Sequence, residues 1–151
     1  MKVVSYNIKG LHDSIKAKAL WTWILSIDID VCCIQEHKLH HLAGLTLYYK
    51  GYTMFYGGIQ GSYLGTLTCI KTSLNPIVQF NHGSGRCLGI DVHMSRGTIC
   101  VFNIYAFSEH KDCTLLWNDL SQQSPFAGFF CGDFNVVLHP HDSTTGASTM
   151  T

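Results

Sequence analysis

The stretch Asp30-Val31-Cys32-Cys33-Ile34-Gln35-Glu36-His37-Lys38-Leu39 sets four apolar residues in a row between two carboxylates. A continuous apolar run of that length reads as a strand buried on both faces, the kind found in α/β sheets. Upstream, residues 2–7 form a short strand with Val3, Val4 and Tyr6, and Asn7-Ile8-Lys9-Gly10 turns the chain. Between the two strands, Asp13 or Ser14 caps a helix whose Leu20, Trp23, Ile24 and Ile27 share one face. Strand, helix and strand in that order make a βαβ opening.

Further along, the spacing over residues 39–50 allows a helical turn. Strands are expected over residues 52–56, 66–71 and 77–80, with a glycine-rich loop over residues 57–65. Residues 88–93 and 98–105 flank Ser95-Arg96-Gly97 as a hairpin, so the sheet is mixed. A second helix over residues 110–121 shows Cys113, Leu116, Trp117 and Leu120 on one face. Residues 126–131 then form another buried strand, leading into Gly132-Asp133-Phe134-Asn135. The end of the chain, residues 143–151, is a polar tail without periodicity, which leaves residues 2–142 as one domain.

Composition limits the possible partners. In 151 residues, 46% are hydrophobic and only 13% charged, with ten Lys+Arg against ten Asp+Glu. No global basic field attracts a polyanion, so nucleic-acid affinity has to come from local contacts or a metal ion. The seven cysteines include no Cys-x-x-Cys pair, and most lie in apolar or strand-like runs. They read as reduced, buried thiols of a nuclear or cytoplasmic protein. Cys32 and Cys33 are expected on opposite faces of their strand. Met1-Lys2 opens no signal-peptide core, and no apolar run approaches the ~20 residues of a membrane helix.

Four strands end in polar residues that packing does not require: Asn7, Gln35-Glu36, Asn103-Ile104-Tyr105, and Asp133 with Asn135. Sites in open α/β sheets collect at strand carboxyl ends. Glu36 is one of only two glutamates in the chain. A carboxylate closing an apolar strand needs a partner or a cation. Mg²⁺ takes such oxygen ligands together with water and phosphate oxygens. Asp133 can supply a second ligand or polarise a water, Asn7 and Asn135 can donate to phosphate, and Tyr105 can donate to developing negative charge. Together these fit metal-assisted phosphoester hydrolysis. Each residue also has a plainer reading. Asn7 serves as a turn residue, Asp133 and Asn135 form an Asx turn, Glu36 pairs with Lys38 or His37, and Tyr105 is core with its hydroxyl at the edge. A rival constellation for zinc is His37, His40 and His41 with His139 and His141. Its spacing matches no compact zinc module, and solvated loop histidines are the plainer reading.

In this order the motifs resemble the endonuclease/exonuclease/phosphatase superfamily, nearest to the apurinic-type endonuclease domain of non-LTR retrotransposons. The likeness rests on Val4-Ser5-Tyr6-Asn7-Ile8-Lys9-Gly10-Leu11, the Asp30–Leu39 stretch, Gly65-Thr66-Leu67-Thr68, Val101-Phe102-Asn103-Ile104-Tyr105-Ala106 and Phe130-Cys131-Gly132-Asp133-Phe134-Asn135. It implies a four-layer α/β sandwich of two packed mixed β-sheets, the second incomplete. It implies a divalent-metal-dependent DNA endonuclease that nicks its substrate. By resemblance, Glu36 holds Mg²⁺ or Mn²⁺, Asn7 contacts metal or phosphate, Tyr105 and Asn135 contact the scissile phosphate, and Asp133 orients the attacking water. A reverse-transcriptase region in a longer parent polyprotein is a further implied partner.

Two departures qualify the resemblance. Phe107 stands where the family usually has proline. Nothing after Asn135 matches the family's later Ser-Asp-His motif, so turnover is expected to be impaired and the 126–131 strand to have an open edge. Other readings are a non-catalytic remnant or binding module of a degenerate retroelement, and a phosphatase or phospholipase of the same superfamily.

Overall fold

The computed structural model describes residues 1–39, 46–57, 65–122 and 128–136. The chain opens with β1 (Val3–Asn7), α1 (Ser14–Ser26) and β2 (Val31–Gln35). These are followed by β3 (Thr46–Tyr49), β4 (Tyr52–Tyr56), β5 (Thr66–Lys71), β6 (Ile77–Asn81), β7 (Cys87–Met94) and β8 (Gly97–Tyr105). A 3-10 turn (Thr72–Leu74) links β5 to β6, and helix α2 (His110–Ser121) and β9 (Gly128–Asp133) complete the described elements. One sheet runs β1-β2-β5-β4-β3 and the other β6-β7-β8-β9. The β1–β2 and β8–β9 pairs are parallel and the rest antiparallel, so both sheets are mixed. Each parallel pair is joined by a helical crossover, as parallel strands require.

Strand alternation builds the four layers. On β2, Cys32 and Ile34 face outward and pack with Leu20 and Ile24 of α1. Val31 and Cys33 face inward and meet Ile90, Val92 and Val101 of the second sheet. The adjacent cysteines thus lie in different clusters, as the period of two dictates. Behind the second sheet, Leu116 of α2 packs against Cys100, Phe102 and Ile104. All seven cysteines are free, and five are buried.

Three expectations need correction. Part of residues 39–50 is strand β3 rather than a helical turn, while residues 40–45 lie outside the described residues. Lys50 and Gly51, at φ 45° and 83°, make the tight turn that returns the chain into β4. Positive φ at both central residues is the type I′ hairpin geometry. In α1, Leu20 and Ile24 are buried, but Trp23 and Ile27 are each 41% exposed. The inward face turns instead through Trp21, whose ring lies tilted against Tyr49 with centroids 4.7 Å apart. The last strand, described from Gly128, runs on to Asp133, two residues past the end that its apolar run suggests. Phe126 lies outside the described residues. Asp13 is the α1 cap, its Oδ1 accepting from Ile15 N–H at 2.8 Å.

Both edges beside the strand ends are open among the described residues. β1 and β9 are terminal strands, and Tyr6 and Phe130 are about half exposed on them. No helix is long and apolar enough to cross a membrane among the described residues.

Candidate active site

The site continues the inward rows of the core. On β1 the row is Val3, Ser5, Asn7; on β2 it is Val31, Cys33, Gln35. On β8 it is Ile99, Val101, Asn103, Tyr105, and on β9 it is Phe129, Cys131, Asp133. The first members of each row are apolar and pack between the sheets. The last members are polar and crowd together where the sheets open. Parallel register sets them level, with Asn7 opposite Gln35 and Tyr105 opposite Asp133.

A buried amide layer seals the core below them. Gln35 Nε2 donates to Asn103 Oδ1 at 2.8 Å and to Ser5 Oγ at 3.1 Å. Asn103 Nδ2 donates to Thr68 Oγ1 at 3.0 Å and to Leu67 O at 3.1 Å. These bonds link β1, β2, β5 and β8 across the two sheets, so neither sheet can slide without breaking buried polar pairs.

Above that layer Asn7 joins two carboxylates. Its Nδ2 donates to Glu36 Oε1 at 2.9 Å and to Asp133 Oδ2 at 2.7 Å. The same residue still shapes its turn, because Asn7 Oδ1 accepts from Lys9 N–H at 3.2 Å. Asp133 likewise does two things: its Oδ1 accepts from Asn135 N–H at 3.0 Å while Oδ2 faces Asn7. The turn hydrogen bonds and the bridge between the two carboxylates thus coexist on the same residues. Glu36 also pairs with Lys38, Nζ to Oε2 at 3.7 Å, but not with His37.

Electrostatics follow these contacts. The Asn7 amide is the largest influence on Glu36 and holds its carboxyl below the ordinary value; burial works against it, and the Tyr105 hydroxyl and Lys38 assist. The Tyr105 phenol is raised, first by burial and then by the Glu36 carboxylate. His37 is buried and neutral, its pKa pushed down to about 4 by burial. Its Nδ1 accepts from Leu39 N–H at 3.0 Å, which ties down the turn after Glu36. Its Nε2 has no hydrogen-bond partner. His40, His41, His139 and His141 lie outside the described residues.

The backbone bends sharply around these groups. Lys9, Glu36, Lys38 and Asn135 all have φ between 49° and 55°. Non-glycine residues held there cluster at functional sites. Gly132 has φ 146°, and a Cβ there would meet Ile104 O at 1.8 Å. Only glycine lets β9 lie this close to β8 just before Asp133.

Of the residues singled out from sequence, Asn7, Glu36, Asp133 and Tyr105 converge. Asn135 reaches the group through its backbone N–H, while its side chain donates to Ala106 O at 2.6 Å. Ser5, Asn7, Gln35, Asp133 and Asn135 line a cleft of about 650 Å³. Sequence reasoning missed Arg86, whose guanidinium lies 4.3 Å from the centroid of the Tyr105 ring. A lone arginine before a strand gives no periodic signal, and only the fold brings it to the site.

Two carboxylates flanking one amide are hard oxygen donors, the set that suits Mg²⁺ or Mn²⁺. Among the described residues no group of three or more His, Cys, Asp or Glu gathers. A divalent ion held by Glu36 and Asp133 would complete its shell with water and substrate oxygens, as Mg²⁺ commonly does.

Solved structures share this architecture. The endonuclease domain of TRAS1, a telomere-specific non-LTR retrotransposon, matches with a TM-score of 0.68 at 15% identity, over 89% of this chain and 60% of that one. An AP endonuclease from Archaeoglobus fulgidus matches with a TM-score of 0.64 at 19% identity, over 94% and 60%. D. rerio TDP2 complexed with single strand DNA product matches with a TM-score of 0.56 at 18% identity, over 89% and 60%. The chain thus spans about 60% of the length of these structures. At such identities the likeness speaks to fold alone. Sequence goes further: the model of the Endonuclease/Exonuclease/phosphatase family matches residues 4–150, nearly the whole chain, and the protein belongs to that family.

Proposed function

We propose that this chain is a divalent-metal-dependent phosphodiesterase domain that nicks DNA, of the retrotransposon endonuclease type. The observation that carries this reading is the Asn7 amide bridging Glu36 and Asp133 at the carboxyl ends of two parallel strand pairs. That arrangement sets a metal-ligand carboxylate beside an open cleft lined by a water-orienting carboxylate and amide donors for phosphate. D. rerio TDP2, complexed with a single strand DNA product, supports DNA over other phosphoesters, and the TRAS1 endonuclease domain supports a nuclease of retrotransposon type.

In this reading Glu36 is the metal-ligand carboxylate, kept ionised by Asn7. The ion, when bound, supplies Lewis-acid stabilisation of charge on the phosphate oxygens. Asp133 Oδ2 accepts a proton from, or orients, a water in the cleft, and its Oδ1 stays fixed by the Asn135 N–H. Tyr105 donates its hydroxyl to developing negative charge, and its raised pKa keeps that proton in place. Asn135 turns its amide from Ala106 O toward a phosphate oxygen. The neutral balance of charge leaves DNA held by these local contacts rather than by a broad basic face.

The test is a plasmid assay with the purified chain, supercoiled DNA and Mg²⁺, beside Asp133→Ala. Relaxation to nicked circles by the parent, lost in the variant and in chelator, is the expected result. A folded parent that leaves the plasmid intact would refute the reading and put a non-catalytic binding module in its place.

A further inference from the structure

We propose that Arg86 is a positioning residue that holds Tyr105 at the site by stacking between Tyr105 and Phe107. The inference deepens the phosphodiesterase reading and rests on it for its kinetic consequence. The guanidinium carbon lies 4.3 Å from the centroid of the Tyr105 ring and 4.5 Å from that of Phe107. Its Nη1 donates to Ala106 O at 3.2 Å, the carbonyl that also accepts from Asn135 Nδ2. One cation therefore grips three successive residues at the end of β8, and through Ala106 shares a ligand with the end of β9.

The base of this clamp is rigid. Arg86 O accepts from Tyr105 N–H at 2.8 Å, and Gly85 O accepts from Thr66 N–H at 3.0 Å. Arg86 N–H donates to Ser84 Oγ at 3.3 Å. The arginine is thus tied by its own carbonyl to β8, and its neighbour Gly85 ties the same turn to β5 of the other sheet, before its side chain reaches the rings. Phe107 explains why a clamp is needed. A proline at that position would fix φ and stiffen the segment covalently. Phenylalanine leaves the backbone free, and its ring instead supplies the second wall for the guanidinium. A planar, weakly hydrated guanidinium can stack on two rings, whereas a lysine ammonium cannot.

The closing experiment uses the full chain and two readouts. The first is the nicking assay on Arg86→Lys, Phe107→Leu and their combination. Arg86→Lys is expected to lower kcat about tenfold with KM for the plasmid unchanged, the order one partly desolvated cation–π contact carries. The double variant is expected to fall no further than the worse single one, because the two residues form one stack. Phe107→Tyr, which keeps the ring wall, is expected to retain the parent rate. The second readout is carbon-13 NMR of labelled tyrosine, with the Tyr105 signal assigned from Tyr105→Phe. Arg86→Lys and Phe107→Leu are expected to move that signal while leaving the thermal melting of the protein near the parent's. If the parent does not nick, the hydrolytic reading fails, and the NMR result alone decides the clamp. An unchanged Tyr105 signal in Arg86→Lys, or a kcat within twofold of an active parent, overturns the proposal.

Discussion

Replacing Asn7 by alanine should cost far more than one surface hydrogen bond, and the structure says why. One NH₂ group satisfies Glu36 at 2.9 Å and Asp133 at 2.7 Å. Two acceptors sharing an amide nitrogen in this way lie ~5 Å apart. At an effective dielectric near 20, their mutual repulsion is about 3 kcal/mol. Asn7 screens that repulsion and adds two charge-assisted bonds. Water reaching the open cleft recovers part of the loss, so Asn7→Ala is expected to lower unfolding stability by about 2–3 kcal/mol, an appreciable share of a typical domain's total. The assay is urea unfolding followed by tryptophan fluorescence, in chelator at neutral pH. A second substitution gives the sign. Asn7→Ala with Glu36→Gln removes one of the two facing charges, so the double variant should be more stable than Asn7→Ala alone. Millimolar Mg²⁺ should stabilise Asn7→Ala more than the parent, because the cation replaces the lost donor between the carboxylates. A double variant less stable than Asn7→Ala, or a single variant within 0.5 kcal/mol of the parent, would refute the reasoning.

Three other outcomes follow from the same geometry. Glu36→Gln should abolish the rise in melting temperature that Mg²⁺ gives the parent, measured by calorimetry; an undiminished rise would place the cation elsewhere. Gly132→Ala forces a Cβ to within 1.8 Å of Ile104 O at a φ of 146°, so it should cost about 3 kcal/mol or more in urea unfolding, and a parent-like midpoint would contradict it. Burial alone would raise the Asp30 carboxyl, but Lys71, the Lys2 backbone N–H and the chain amino group outweigh it and hold the group below 3.8. Its folded pKa is thus lower than its unfolded one, so its stabilisation is present above about 3.8 and is lost as pH falls through the folded value. Between pH 5 and 2, urea midpoints should drop more steeply for the parent than for Asp30→Asn, and parallel curves would count against the pairing.

Much of this site was legible because strand alternation is a rigid rule. Val3, Ser5 and Asn7 share a face by period two, and so do Val31, Cys33 and Gln35. A row that turns from apolar to polar marks where the core ends and the cleft begins. The same rule placed Cys32 and Cys33 in different cores. The α2 face was equally readable, with Leu116 buried and Cys113, Trp117 and Leu120 packed against its cluster. What sequence could not give was set by partners distant in the chain. The α1 face turned toward Trp21 because aromatic rings of β3 and β4 wait there. β3 became a strand because β4 offers it a ladder through the Lys50-Gly51 turn. Arg86 reached Tyr105 because β7 and β8 pair from Cys87 to Ile104 onward, a register that no local pattern announces. Phe107 was visible as a departure from the family pattern, but its use as a stacking wall was not.

Asp133 stands on the outermost described strand of its sheet, and Asn7 on the outermost of the other. Edge strands detach from a native fold more easily than central ones, in excursions that leave the rest of the protein intact. Each such excursion separates Asp133 from Asn7 and scatters the cleft while the buried amide layer holds. On the proposed hydrolytic reading, the fraction of molecules able to act at any instant is set by the docked fraction of β9, the outermost strand among the described residues. Amide hydrogen exchange should report it directly, with β9 exchanging through local opening and β2 only through global unfolding. On that reading, heating would silence the proposed nicking before the protein melts, and anything that lengthens the dwell of β9 against β8 would raise apparent affinity for DNA without touching a single ligand-contacting atom.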